Sequence, residues 1–378
     1  MRRHTIGPRS HWQSRVEEVG LTYHTLADGK PYWDESAYWE FDAAEINRLE
    51  AATAELQQLC LAAGDHILDR DRLGEMHIPA IAAARIRETW RTEPPALYGR
   101  MDLAYDGREI KLLEYNADTP TALIEASVVQ WYWLRDCFPD YDQFNSLHEK
   151  LVAKWKDLIP FVSQPVYFGH DGSAEDHMTI TYLRDTAQQA GLRTFAIAMN
   201  EIGWEAAKAR FLDLGRQPIR TLFKLYPWEW LVAEEFGPHA LLTMNAVQWI
   251  EPIWKMLWSN KALLAILWEL NPNHELLLPA YLNSPRELTD YVRKPLFGRE
   301  GANVTAYRGG VRVETSDEKE DEVEFVYQKL ASLPQIAGNT PVLGSWLIDG
   351  EPAGMGIRES SGLITRNNSR FVPHIFAS

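Results

Sequence analysis

Between residues 166 and 198 the sequence runs through a short apolar strand (166–168), a loop rich in Gly and Asp (169–173), a helix to about residue 190 and a second strand (194–198). Two strands separated by a helix cannot close as a hairpin. The crossover makes them parallel, and a parallel pair must be covered by helices. This stretch commits the chain to a layered mixture of helix and sheet. With 378 residues, of which 46% are hydrophobic and 24% charged, there is enough apolar surface for a large core and for more than one domain.

The flanking pattern fits that frame. Apolar residues at helical spacing, Leu49, Leu56 and Leu59 among them, predict an amphipathic helix over 43–63. Residues 97–115 read as strand, turn, strand, with Asp106-Gly107 as the turn. A helix over 147–158 is stopped by Pro160. Further on, the sequence predicts a helix over 261–270 and strands near 276–278 and 291–294. A glycine-containing loop follows, then a hairpin turning at Gly309-Gly310 and an acidic solvated segment over 314–324. A strand over 325–330 and a hairpin of 342–348 with 353–358, turning at Asp349-Gly350, complete the pattern. The expectation is an α+β or α/β protein of two or three subdomains.

Charge and composition narrow the function. The formal net charge is −15, and no Lys or Arg run is long enough to track a phosphate backbone, so nucleic acid and anionic membranes are excluded as partners. An acidic surface attracts a cationic substrate such as an amine, and equally keeps a protein dissolved. The longest apolar stretch, 262–268, is broken by Glu269 and is too short to span a bilayer. Met1-Arg2-Arg3-His4 is followed by Gly7, Pro8 and Arg9 instead of an apolar export segment. With only Cys60 and Cys137, a disulfide framework is not expected, and the chain reads as cytoplasmic.

Three constellations carry possible chemistry. The first is Arg100, Asp102, Glu114 and Asn116 on the 97–115 hairpin and its end. Alternate strand residues share a face, so Arg100 pairs with Asp102 and Glu114 with Asn116. A two-residue loop sets Asp102 opposite Lys111 and splits the pairs. A three-residue loop over 106–108 sets Arg100 opposite Glu114 and brings all four to one face. Asp, Glu and Asn oxygens converging there would suit Mg²⁺; a solvated face of cross-strand charge pairs reads equally well. The second is Lys261, which opens a helix that Ser259 or Asn260 can cap, with Lys294 at a strand end before the loop holding Gly298, Arg299, Glu300 and Gly301. Helix N-termini and glycine loops are phosphate sites, although single lysines usually lie at the surface. The third is Arg358, followed by Asn367, Asn368, Ser369 and Arg370. Arg358 can clamp a carboxylate or phosphate, or pair with a nearby Glu. Ser173 and Asp176 resemble a capping box, on a loop that could also face a substrate.

Taken together, these residues resemble the glutathionylspermidine synthase family. The resemblance rests on Arg100-Met101-Asp102, Leu113-Glu114-Tyr115-Asn116-Ala117-Asp118-Thr119-Pro120-Thr121, Leu225-Tyr226-Pro227-Trp228-Glu229-Trp230 and Ile250-Glu251-Pro252. It continues through Ser259-Asn260-Lys261, Lys294-Pro295-Leu296, Val342-Leu343-Gly344-Ser345-Trp346 and Ser369-Arg370-Phe371-Val372-Pro373-His374. The matches keep their order from about residue 30 to the C-terminus. The resemblance implies an ATP-grasp fold with a preceding Rossmann-like βαβ subdomain. It divides the chain into 1–160, with the helical region and the metal hairpin; 161–255, the βαβ subdomain; and 256–378, the ATP-grasp subdomain with its lid, sharing a catalytic core with 97–121.

By the same resemblance Asp102, Glu114 and Asn116 would ligate Mg²⁺. Lys261 and Lys294 would meet the phosphates of ATP beside Gly298 and Gly301, and Tyr327 and Gln328 would lie along adenine. Arg100 and Arg358 would stabilise the transferring phosphoryl group, and Asp118, Thr119, Thr121 and Glu229 would contact substrate. Thr119 and Thr121 stand where family members carry serines, and no amidase domain is expected. The implied activity is that of an ATP-dependent ligase, joining a peptide-like or amino-acid carboxylate to a polyamine-like amine through an acyl-phosphate. A kinase acting on a hydroxyl, or a nucleotide-binding protein without turnover, is the alternative reading.

Overall fold

Thr340–Ile348 is the spine of an antiparallel five-stranded sheet in the order Arg370–Phe371, Glu351–Ser360, Thr340–Ile348, Tyr98–Tyr105, Ile110–Asn116. The C-terminal hairpin thus adds directly onto the hairpin that carries Arg100 to Asn116, far from it in sequence. The computed structural model describes residues 1–299, 301–316, 324–366 and 369–377. Most of the acidic segment, 317–323, lies outside the described residues, as do Glu300, Asn367 and Asn368.

A second antiparallel sheet, in the order Ala280–Leu282, Phe325–Lys329, Tyr291–Pro295, Thr305–Arg308, Val311–Thr315, faces the first across a cavity. A third sheet is parallel throughout, with Gln248–Ile250, Thr221–Leu225, Val166–His170 and Thr194–Ala198 side by side. The crossover expected from 166–198 is there, with helix Ala174–Gln189 between its strands. Ser173 caps that helix by accepting from the Asp176 N–H at 3.1 Å.

Helix Ala43–Asp69 runs further than its apolar spacing predicts, and opens on a capping box of Asp42 and Glu45. It lies across the central sheet, where the Thr53 and Ser345 hydroxyls meet at 2.7 Å and the Tyr115 hydroxyl donates to Gln57 Oε1 at 2.9 Å. The strand expected near 276–278 is displaced: Ala280–Leu282 is the paired segment, while Leu276 uses its carbonyl to accept from the Leu112 N–H at 2.9 Å. Among the described residues no helix is long and apolar enough to cross a membrane.

Several motif residues turn out to knit the sheets together. Glu251, wholly buried, accepts from the N–H groups of Leu97 and Tyr98 and pairs with Lys255. This ties the end of the parallel sheet to the start of the Tyr98–Tyr105 strand. Glu359 is likewise buried and holds Arg3, Trp39 and Arg370.

Candidate active site

The loop joining Tyr98–Tyr105 to Ile110–Asn116 spans four residues, 106–109, with Tyr105 opposite Ile110. An unbroken ladder would then set Asp102 against Leu113. Instead a bulge at Leu113 shifts the register, so that Asp102 faces Glu114 and Arg100 faces Asn116. Neither short loop considered from sequence is present, and Arg100 does not pair with Glu114. The bulge restores the parity that puts all four side chains on one face. Distant contacts hold it in place: Lys294 Nζ donates to Leu113 O at 2.8 Å, and Gln328 Nε2 to Leu112 O at 2.9 Å.

That face is one wall of a cavity of about 390 Å³. Arg100 lies along Asp102, with Nε donating to Oδ1 at 2.7 Å and Nη2 to Oδ2 at 3.2 Å, and its Nη1 donates to Thr121 O at 2.7 Å. Its guanidinium sits 5.7 Å from the Trp346 ring. Gly344, opposite Asp102, makes room for it, since a Cβ there would meet Arg100 Cδ at 2.9 Å. Arg358 Nη2 donates to the other side of the same carboxylate, at 3.3 Å from Asp102 Oδ2. Lys261 Nζ lies 3.1 Å from Glu114 Oε2 and also donates to Gly298 O, while Asn116 Nδ2 donates to Glu114 Oε1 at 3.1 Å.

Two carboxylates and one amide oxygen thus stand among four cations. Burial alone would raise the Glu114 carboxyl, but Lys261 and Lys294 outweigh it and hold the group well below the usual carboxylate range. Lys294 moves the other way: burial lowers its ammonium to about 8, against the pull of Glu114. Lys294 Nζ also donates to Gln328 Oε1 at 2.7 Å. Gly301 closes this side of the cavity. Its φ is +71°, and a Cβ there would meet Thr365 O at 2.4 Å, so the loop can pass the 363–365 segment only with glycine.

As a magnesium site, the donor set is hard and sparse: Asp102, Glu114 and Asn116 offer oxygens, and among the described residues no cluster of three or more acidic, His or Cys groups could cage a metal. This fits Mg²⁺, which keeps waters and shares phosphate oxygens, better than a cation that needs an all-protein cage.

The other residues named from sequence divide. Thr119, Thr121, Gln328, Gly298 and Gly301 line the cavity with the residues above. The Thr119 hydroxyl is buried with no partner among the described residues. Asp118 is not in the wall. Its Oδ1 accepts from Lys224 Nζ at 2.6 Å and its Oδ2 from the Trp228 N–H at 2.9 Å, so it is spent on a buried pair and cannot take an amine proton. Glu229 also lies behind the wall, with Arg299 3.9 Å from it and its carboxyl raised by burial and then by Asp118. Tyr327 points out of the cavity, its ring 5.8 Å from Tyr291, because strand alternation sends Gln328 inward.

The loop before Ala174–Gln189, read from sequence as a helix cap that could also face a substrate, bounds the cavity. There Asp171, Glu175 and Asp176, from the loop and first turn of Ala174–Gln189, stand near Tyr23 and Trp230. Burial and the neighbouring Asp171 push the Asp176 carboxyl up to about 8. The capping pattern around Ser173 was visible; that the same loop bounds the cavity depends on a sheet partner, Thr221–Leu225, more than forty residues on. These carboxylates share the cavity with its cations: Glu175 helps to raise the Arg100 guanidinium, and Arg299 lies 5.6 Å from the Trp230 ring.

The family pattern described as glutathionylspermidine synthase preATP-grasp matches residues 3–377. A Haemophilus influenzae protein provisionally named an acid–amine ligase is 41% identical over 377 residues, covering 95% of each chain. Trypanothione synthetase of Crithidia fasciculata is 28% identical over 368 residues, covering 88% of this chain and 56% of that protein. The bifunctional glutathionylspermidine synthetase/amidase of Escherichia coli is 28% identical over 370 residues, covering 89% of this chain and 59% of that one. The chain thus spans little more than half the length of these two larger relatives. Among solved structures, a glutathione synthetase-like effector from Globodera pallida in its apo form shares the fold, with a TM-score of 0.54 at 9% identity over 97% of this chain and 96% of that one.

Proposed function

As a member of the glutathionylspermidine synthase family this chain is an ATP-dependent C–N ligase of ATP-grasp fold, and we propose that it joins a carboxylic acid to a cationic amine through an acyl-phosphate. The observation that carries the reading is the convergence of Arg100, Arg358, Lys261 and Lys294 around Asp102 and Glu114 on one cavity wall.

In the first step a carboxylate oxygen of the acid attacks the γ-phosphorus of ATP, and ADP leaves. This step needs alignment and charge neutralisation more than a protein nucleophile. Lys261 and Lys294 would meet phosphate oxygens, and Arg100 and Arg358, braced on Asp102, would meet the transferring group and the new acyl-phosphate. Asp102, Glu114 and Asn116 would hold Mg²⁺, which supplies charge neutralisation between neighbouring phosphates. The strand Phe325–Lys329 lies along the cavity through Gln328, and its backbone is the proposed edge for adenine. Thr119 and Thr121 would border the acid.

In the second step the amine attacks the acyl carbon, the C–O bond to phosphate breaks, and the amine loses a proton. Of the two carboxylates expected at the substrate, Asp118 is held by Lys224. Glu229 remains, its raised pKa making it the better base, and it would reach the amine only after Arg299 moves. The acidic end formed by Asp171, Glu175 and Asp176 favours an amine that carries positive charge.

ADP release is the test. Purified protein is incubated with ATP, Mg²⁺ and a panel of acids and amines, singly and paired. A ligase releases ADP only with an acid and an amine together. Release with a single hydroxyl compound would make the protein a kinase, and no release with any pair would reduce it to a nucleotide-binding protein.

A further inference from the structure

A second cavity, of about 350 Å³, lies at the C-terminal edge of the parallel sheet. Asp171 directly follows the strand Val166–His170, Met199 and Asn200 follow Thr194–Ala198, Tyr226 follows Thr221–Leu225, and Trp249 lies on Gln248–Ile250. From Val166–His170 the chain adds Thr194–Ala198 on one side and then crosses to add Thr221–Leu225 on the other. Asp171 and Tyr226 therefore stand where the strand order reverses. In open parallel sheets the crevice outside that point is where ligands bind. A second mark is independent of the topology. Trp249 is 4% exposed, and its indole N–H has no acceptor among the described residues. A buried donor left unpaired marks a wall that an occupant completes.

The lining selects the chemistry. Phe211, Tyr226, Phe236 and Trp249 supply four rings, with Phe211 and Trp249 at right angles and their centroids 5.8 Å apart. The charged members are Asp171 and Glu234, and no Lys or Arg belongs to the wall, so a phosphate or carboxylate is repelled. A cation, by contrast, meets ring faces and carboxylates together. A primary ammonium would bring three N–H donors, each needing an acceptor. Here Glu234 Oε1 already accepts from the Tyr226 hydroxyl, and Asp171 Oδ1 from the Ser173 N–H at 2.7 Å. A methylated ammonium makes no such demand, and its methyl groups suit an apolar wall. We propose that this cavity binds a quaternary ammonium of the trimethylammonium class, with a neutral oxygen on its short chain accepting from the Trp249 N–H. A quaternary nitrogen has neither a lone pair nor a proton and cannot be acylated, so this ligand is not the amine of the ligase reading. The site stands apart from that reading and needs no passage between the two cavities.

Calorimetry with choline tests it against 3,3-dimethylbutan-1-ol, which has the same shape and no charge. Wild type should bind choline about tenfold tighter than the alcohol, as expected of a desolvated cation on aromatic faces. Tetramethylammonium, which lacks the oxygen, should bind about threefold more weakly than choline, the worth of one hydrogen bond. Glu234→Gln and Phe236→Leu change exposed residues of the wall, so both variants should fold, with melting curves like wild type. Each should weaken choline about fivefold. Glu235→Gln removes a neighbouring exposed carboxylate that is outside the wall, and choline affinity should not change. That control separates the site from the pull of the net charge. Equal affinity for choline and the alcohol, choline no tighter than tetramethylammonium, or an affinity untouched by Glu234→Gln and Phe236→Leu overturns the proposal.

Discussion

Lys224 Nζ lies 2.6 Å from Asp118 Oδ1, and both side chains are shut away from solvent, at 0% and 2% exposed. The pair bolts the parallel sheet to the loop that leaves the hairpin of Tyr98–Tyr105 and Ile110–Asn116, and the Trp228 ring lies 4.7 Å from the ammonium. A buried pair gains little over an apolar substitute, but removing one member strands the other. Lys224→Met should therefore destabilise by about 3–5 kcal/mol. Adding Asp118→Leu should recover part of the loss. Urea unfolding of the two single variants and the double variant checks this, and simple additivity would show that the pair has no coupling.

In the proposed mechanism Asp102 and Glu114 serve phosphoryl transfer more than folding. Glu114 keeps a quarter of its side chain open to the cavity, so Glu114→Gln should cost little stability. Turnover should fall roughly a hundredfold or more for Glu114→Gln and for Asp102→Asn, as when preorganised charge is lost from a transition state. Steady-state rates together with melting curves decide it. Near-normal rates in well-folded variants would remove both from the metal assignment.

Lys294 has an ammonium depressed to about 8, chiefly by burial. Nucleotide phosphates favour the charged form, so binding near pH 8 to 9 should draw a proton onto the protein. Titrations in buffers of different ionisation enthalpy should show that uptake in wild type and lose it in Lys294→Arg, whose guanidinium stays charged. Affinity of wild type should decline as pH rises above 8. Lys294→Ala should weaken ATP binding about tenfold or more, the worth of one charge-assisted hydrogen bond. Unchanged affinity would take Lys294 out of the site.

Much of this site was legible because its residues sit on short, strongly patterned strands. Arg100 with Asp102 and Glu114 with Asn116 share faces by alternation alone. What decides that the two pairs meet is the bulge at Leu113, held by Lys294 and Gln328 from a sheet whose arrival no local pattern announces. The resemblance puts Asp118 toward substrate, yet its partner Lys224 is 106 residues away. A lone lysine in the apolar strand Thr221–Leu225 was the available signal, since an unpaired ammonium is not tolerated in such a strand.

His374 offers a pH-dependent handle on stability. It is buried, its Nδ1 meeting Gln130 Oε1 at 2.9 Å and its Nε2 accepting from the Phe144 N–H at 3.2 Å, and burial lowers its pKa to about 3. The folded protein thus keeps it neutral where the unfolded chain, near 6.5, takes up a proton. Its contribution is complete above pH 6.5 and is lost as pH falls from there toward 3. The full loss is on the order of 3 kcal/mol or more. Denaturant midpoints of His374→Gln should vary less between pH 7 and pH 5 than those of wild type. Parallel curves would mean that His374 does not set the slope.

Whether the acidic end of the cavity captures substrate through long-range attraction is a separate question from whether it binds. The net charge of −15 gives the molecule a field, and Asp171 and Glu175 add carboxylates to it at the cavity. If that field speeds encounter, kcat/KM for a cationic amine should fall as salt rises, because the screening length shrinks from about 10 Å at 0.1 M to about 3 Å at 1 M. Glu175→Gln should flatten the salt slope, since it removes one carboxylate from the cavity. Asp176, protonated at neutral pH with its pKa near 8, adds its charge only as pH rises through 8, so the salt slope should steepen between pH 7 and 9. Amine kcat/KM measured over that grid of salt and pH is decisive. A slope that is flat at both pH values would end the steering claim, while amide formation itself would still stand on the Asp102–Glu114 wall.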